Sequence, residues 1–174
     1  HSALINGPIS KTHFLKKKFP GITEYVSHKS NSKDPVMLIY NKFLAVSPLT
    51  THVPIKRVAN FIKKRTIIKN VIKIDNFYKL NLKKVPNIAV LGLNPHCETT
   101  DKISEEKKEI RPAIKFLKTK KINISGPFSA DTFFLKKNLV KFDVVVGMYH
   151  DQVLVPAKTL FNFKAINVTL GLPF

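Results

Sequence analysis

Arginine is nearly missing from this chain. Of 174 residues, 30 are Lys or Arg, and only Arg57, Arg65 and Arg111 are Arg. The planar guanidinium fork that reads bases and phosphates bidentately is therefore scarce. Cysteine is reduced to Cys97. That excludes an intrachain disulfide and a Cys-based zinc site, and makes a reducing, cytoplasmic location the default expectation. Glycine is sparse too: Gly7, Gly21, Gly92, Gly126, Gly147 and Gly171 never form a G-x-G. Both the dinucleotide-binding fingerprint and the P-loop are thereby excluded, and no G-x-S-x-G occurs. Apolar runs are short. Those at 88–93 and 144–148 fall far below the roughly 18 residues that span a membrane.

Acids are few, 11 against 30 basic residues, for a formal net charge of +19. The lysines are dispersed from Lys11 to Lys164 rather than gathered into one patch. Asn and Ile are abundant alongside Lys, a combination that points to biased genomic base composition. The expectation is a lysine-solvated surface with no nucleic-acid and no membrane partner. A basic, non-catalytic binding module is the competing class, and it predicts polyanion binding that weakens steeply with salt. The 44% hydrophobic content is enough for a core and excludes a disordered basic tail.

The length suits a single domain. Yet the chain opens at His1, directly ahead of a strand-like stretch, and stops at Phe174 without a polar tail. We expect residues 1–174 to be part of a larger chain, truncated at both ends.

Apolar runs of strand length alternate with helical patterns. Strands are expected at 3–5, 36–40, 43–46, 87–93, 122–124, 143–148 and 165–170, with a hairpin around Asn41-Lys42. Helices are expected at 23–29, at 55–64 with Pro54 at its first turn, and in a second stretch through Ile67, Ile68, Val71, Ile72 and Phe77. A further helix is capped by Ser104, with acids in its first turn and a core face of Ile110, Ala113, Ile114 and Leu117. The last is at 152–161. Gly126-Pro127 reads as a turn, and 27–35 as a loop. Buried strands separated by helices indicate an α/β sheet with parallel elements.

Three of the six histidines share one topological position. His52, His96 and His150 each follow a predicted strand by a few residues. Ligands of open α/β sheets bind outside the carboxyl ends of the strands. Three imidazoles at that edge could form a His₃ metal site. The gaps of 44 and 54 residues mean that only the fold, or a second subunit, could assemble it. His1, His13 and His28 read as surface residues.

Several motifs occur in one order along the chain: Gly7-Pro8-Ile9-Ser10-Lys11, Thr50-Thr51-His52-Val53-Pro54, Leu93-Asn94-Pro95-His96, Gly126-Pro127-Phe128-Ser129-Ala130-Asp131-Thr132, Met148-Tyr149-His150-Asp151-Gln152 and Asn167-Val168-Thr169-Leu170-Gly171-Leu172-Pro173-Phe174. In this the chain resembles the 4-hydroxythreonine-4-phosphate dehydrogenase family over essentially its whole length. The resemblance implies a three-layer α/β/α fold like that of isocitrate and isopropylmalate dehydrogenases. It implies a homodimer with the active site at the subunit interface, and NAD (or NADP) bound without a Gly-rich fingerprint. It implies a divalent metal (Zn, Mg, Mn or Co) on His52, His96 and His150, one of them donated by the partner subunit. Thr23, Lys158 and Asn167 correspond to substrate and phosphate contacts. Lys11 and Asp131 are motif residues near the site without an assigned role, and no general acid or base is assigned. The implied reaction oxidises and decarboxylates 4-phosphooxy-L-threonine to 3-amino-2-oxopropyl phosphate, on the route to pyridoxal 5′-phosphate. Residues 1–174 correspond to the central, metal-binding part of such an enzyme.

There are departures from the family pattern. Ile22 stands where the family has a substrate-touching His. Cys97-Glu98-Thr99-Thr100 replaces a Gly-rich run, and Val153 follows Gln152 where Gly is usual. Ile22 motivates an alternative substrate of the sugar-acid 4-phosphate type (erythronate or threonate), because an apolar side chain cannot hydrogen-bond an amino or carboxylate group.

Overall fold

A computed structural model describes residues 5, 7, 9, 10, 13–15, 18, 19, 21–32, 34–98, 104–162 and 164–173. Lys11 and most of the expected strand 3–5 lie outside them. In chain order the elements are α1 (Ile22–Lys29), β1 (Val36–Tyr40), β2 (Ala45–Thr50), α2 (Val58–Phe61), α3 (Lys64–Asn81), β3 (Ile88–Leu91), α4 (Arg111–Thr119), β4 (Ile124–Phe128), α5 (Ala130–Phe133), α6 (Lys136–Leu139), β5 (Val144–Tyr149), α7 (His150–Phe161) and β6 (Ile166–Leu170). Short 3₁₀ turns occupy Ile55–Arg57 and Pro95–Cys97, and a π-helical segment, Glu106–Ile110, leads into α4.

The six strands form one sheet in the order β4-β3-β5-β2-β1-β6. From β4 to β2 all pairings are parallel, whereas β1 runs antiparallel to both of its neighbours. The expected hairpin forms between β1 and β2. Asn41 holds it: Oδ1 accepts the Phe43 amide at 2.8 Å, and Nδ2 donates to the Lys164 carbonyl at 2.5 Å, just before β6.

The central strands are buried on both faces, and their alternation divides the core in two. Val144, Val146 and Met148 of β5, with Ile88 and Val90 of β3, face α3 and α4. There they meet Ile67, Val71, Ile74 and Tyr78, and the expected α4 face of Ile110, Ala113, Ile114 and Leu117. Val145, Ala89, Leu91 and Val46 face the other way, against Phe133, Val153, Leu154 and Ala157. The result is the expected α/β/α sandwich.

Several elements depart from their expected form, among them the strand expected at 43–46, which runs over Ala45–Thr50 and so ends four residues later. The helix expected over 55–64 is broken. Ile62 is extended (ψ 97°) and fully buried, so the chain turns there before α3 begins at Lys64. The Glu109 carboxylate accepts the Lys64 amide at 2.6 Å, satisfying a donor at the new N-terminus. Pro54 precedes the 3₁₀ turn instead of sitting inside a helix. The strand expected at 122–124 is displaced to Ile124–Phe128, and Gly126-Pro127 lies inside it instead of forming a turn. Ala89 pairs with Ser125 and Leu91 with Phe128, so β4 carries one extra residue there, a bulge. Gly126 adopts φ +134°, and a Cβ at this position would lie 2.4 Å from the Val90 carbonyl oxygen. Only glycine permits that approach.

Gly126→Ala should therefore lower stability by about 2–3 kcal/mol through backbone strain and the forced separation of β3 and β4. Urea denaturation of the two proteins measures this. Equal midpoints would show that the bulge relaxes freely.

Candidate active site

Parallel pairing puts the carboxyl ends of β3, β5 and β2 side by side on one edge of the sheet. His150 is the first residue of α7, directly after β5. His52 lies two residues past β2. His96 sits in the 3₁₀ turn after β3, in the left-handed region at φ 55°, followed by Cys97 at φ 59°. The three histidines thus occupy the shared edge expected from their strand positions.

Each imidazole turns its Nδ1 toward a carboxylate. His52 Nδ1 is 3.1 Å from Glu24 Oε1, His150 Nδ1 is 2.6 Å from Asp151 Oδ1, and His96 Nδ1 is 3.8 Å from Asp131 Oδ2. The first two distances are hydrogen bonds, and the third is an ion-pair distance only. The Ser129 hydroxyl donates to Asp131 at 2.7 Å and, with His96 nearby, holds that carboxyl below its ordinary value. Among the described residues no three His, Cys, Asp or Glu side chains lie close enough together to hold a metal ion. Within one chain the trio shares an edge, not a coordination sphere.

A polar network fixes the strand exits that carry these histidines. The Thr50 hydroxyl donates to the Met148 carbonyl at 2.8 Å. Gln152 Oε1 accepts the Met148 amide at 2.7 Å, and its Nε2 donates to the Gly92 carbonyl at 2.8 Å. Val153, where the resemblance leads one to expect Gly, is accommodated opposite Gly147. A Cβ on Gly147 would lie 2.4 Å from Val153 Cγ1.

The turn before His96 is gripped from below by Glu106. Read from sequence as a first-turn acid beside the Ser104 cap, Glu106 is fully buried. Ser104 Oγ does accept the Lys107 amide, at 3.3 Å. Glu106 Oε1 accepts the amides of Leu93 and Asn94 at 2.7 and 2.8 Å, and Oε2 accepts Asn94 Nδ2 at 2.9 Å. Burial works to raise its pKa, but these donors outweigh it and leave the carboxyl below its ordinary value. Cys97 closes the turn under Gly92, and burial pushes its thiol pKa up.

The expected substrate contacts fall in two places. Thr23 is buried, with its hydroxyl 3.3 Å from that of Thr169 on β6. Lys158 and Asn167 line one cavity of about 160 Å³, otherwise walled mainly by Ile39, Leu44, Leu154, Ala157 and Phe161. Lys158 is eight residues beyond His150, about 12 Å along the α7 axis. The cavity thus lies toward the other end of the sheet from the histidine edge. Sequence reasoning gave no role to Glu24, Glu106, Thr50 or Gln152. Two of them, Thr50 and Gln152, sit in quoted family segments, each two residues from a motif histidine.

The whole chain, residues 1–174, matches the family Pyridoxal phosphate biosynthetic protein PdxA. It is 44% identical over 177 residues to the 4-hydroxythreonine-4-phosphate dehydrogenase of Sulfurihydrogenibium sp. (strain YO3AOP1), covering 99% of this chain and 54% of that relative. It is 40% identical over 176 residues to the same-named protein of Aquifex aeolicus (strain VF5), covering 98% and 54%. The crystal structure of 4-hydroxythreonine-4-phosphate dehydrogenase from Klebsiella pneumoniae superimposes with a TM-score of 0.80 at 33% identity, over 97% of this chain and 52% of that one. The chain spans about half the length of the curated relatives it matches.

Glu106 generates a pH prediction. Its folded-state pKa is depressed, so its contribution to stability is present above the unfolded carboxylate value and fades as pH falls through the folded one. Glu106→Gln should be less stable at pH 7 by about 2–3 kcal/mol, the worth of charge-assisted hydrogen bonds. The gap should narrow below about pH 4. Denaturant titrations across pH test this, and a gap independent of pH would refute it.

Proposed function

The chain belongs to the PdxA family, and from that membership we propose that it is the histidine-bearing part of a dehydrogenase acting on 4-phosphooxy-L-threonine. The reaction is oxidation and decarboxylation to 3-amino-2-oxopropyl phosphate, in pyridoxal 5′-phosphate biosynthesis. The observation that carries this reading is the common arrangement of His52, His96 and His150: three neighbouring strand exits, each imidazole with Nδ1 toward an acid.

That donor set fits a divalent metal. A carboxylate at Nδ1 orients an imidazole and leaves Nε2 as the ligand nitrogen. Three nitrogen donors favour Zn²⁺ or Co²⁺ over Mg²⁺ or Mn²⁺. When bound, such a cation lowers the pKa of a substrate hydroxyl and stabilises the charge left by loss of CO₂, while NAD or NADP takes the hydride. Since no three such side chains meet among the described residues of one chain, the reading takes one imidazole from a second copy in a homodimer.

The chain's own residues bind and orient. From the resemblance, Lys158 supplies a point charge and Asn167 an amide donor to the substrate phosphate, an assignment carried by the family motifs and not by the cavity, which within one chain lies away from the histidines. The resemblance gives Thr23 a substrate contact through its hydroxyl, which within this chain meets that of Thr169. Ile22 favours a second reading within the same chemistry, a sugar-acid 4-phosphate substrate, because its side chain gives no hydrogen bond to an amino group.

In the full-length protein, His96→Ala should remove metal-dependent turnover and lower bound metal at least tenfold, as measured by elemental analysis and NAD(P)H absorbance. Unchanged metal content and activity would refute the reading. A panel of 4-phosphooxy-L-threonine, erythronate 4-phosphate and threonate 4-phosphate separates the two substrates. Higher kcat/KM on either sugar acid overturns the first.

A further inference from the structure

Glu24 stands third in α1, and no role was assigned to it from sequence. Its Oε1 lies 3.1 Å from His52 Nδ1, bridging 28 residues of sequence. Its Oε2 is buried, with no hydrogen-bond partner among the described residues. The residue before the helix, Gly21, is shaped around this pair. A Cβ there would lie 2.9 Å from Glu24 Oε2 and 3.4 Å from His52 Cε1. Carboxylate, imidazole and glycine therefore form one built unit between α1 and the exit of β2. The opposite side of that exit is held by the Thr50–Met148 hydrogen bond.

A carboxylate can only accept a hydrogen bond. In this contact His52 Nδ1 must therefore carry the proton, which leaves the lone pair of the neutral ring on Nε2. We propose that Glu24 is a positioning residue for His52. It fixes the Nδ1–H tautomer and the ring orientation, so that Nε2 is presented as a ligand for a divalent cation. The ligand part rests on the three-histidine reading above; the tautomer part stands without it.

The test uses the full-length protein, metal-free and labelled with ¹⁵N-histidine, and reads the His52 tautomer from long-range ¹H–¹⁵N spectra. Glu24→Met keeps the bulk and helix propensity of the side chain and removes the acceptor. Glu24→Gln keeps a neutral acceptor. Folding is checked by circular dichroism, and Zn²⁺ affinity by competition with a chromophoric chelator. The wild type should show His52 as Nδ1–H. Glu24→Met should lose that preference and bind Zn²⁺ about 10–100-fold more weakly, the usual cost of removing such a partner. Glu24→Gln should retain the tautomer in large part.

An unchanged His52 tautomer in Glu24→Met overturns the proposal whatever happens to zinc. An altered tautomer with undiminished Zn²⁺ affinity overturns the ligand role. His96→Ala tells that result apart from failure of the three-histidine reading. If this variant too binds Zn²⁺ as tightly as wild type, the reading itself has failed. If it binds weakly, only the role of Glu24 has.

Discussion

The peptide group of Met148 ties the three histidine-bearing strands together. Its carbonyl receives the Thr50 hydroxyl from β2, and its amide is taken by Gln152, which also reaches Gly92 beyond β3. Each bond adds only about 1 kcal/mol of net stability. Their effect is geometric. Sheet register is already set by the core, because slipping β5 by one residue would drive Val145 into the α3–α4 layer and Val144, Val146 and Met148 out of it. What the core does not set is how the chain leaves the sheet, and these polar bonds do.

Glu106 carries the same logic into the loop. A fully buried carboxylate is weak evidence for stability, since desolvation offsets much of its attraction. Here the alternative would be worse. The amides of Leu93 and Asn94 and the Asn94 side chain converge on one point beneath the His96 turn. An apolar residue there would leave the partly buried amides of Leu93 and Asn94 without this acceptor. The π-helical segment that contains Glu106 belongs to this arrangement. The sequence pattern of Ser104 and its following acids marks a helix start correctly. It does not reveal which acid turns inward, since that depends on the loop packed against it.

The strand exits were legible because short, doubly buried strands have a clear signature, and the position of each histidine follows from it. The break at Ile62 was not. Its helical spacing with Val58 and Ala59 is real, but burying Ile62 in an extended conformation depends on α3 and on the carboxylate that Glu109 supplies to the Lys64 amide, 45 residues from Lys64. Gly126-Pro127 misled in another way. The pair does mark irregular backbone, yet a bulge and a turn use the same residues, and the choice is made by how closely β3 approaches. Val153 shows that a departure from a family pattern can be locally compensated, since the space it needs is the missing side chain of Gly147.

Composition, finally, bears on the site through its scarce partner. Among the described residues the lysines populate mostly exposed positions. The 11 acids are different. Asp75 pairs with Lys79 along α3, Asp143 holds both Lys84 and the Asn87 amide, and Glu109 accepts the Lys64 amide at the start of α3. Glu105 and Glu106 bind Asn94. In a chain so depleted of acids, a carboxylate facing Nδ1 of one edge histidine would mean little. Carboxylates facing Nδ1 of all three use over a quarter of the acidic residues on one edge of the sheet. A solvated surface does not need that arrangement, whereas the proposed three-histidine metal site would, because each imidazole would have to present Nε2 in a fixed orientation.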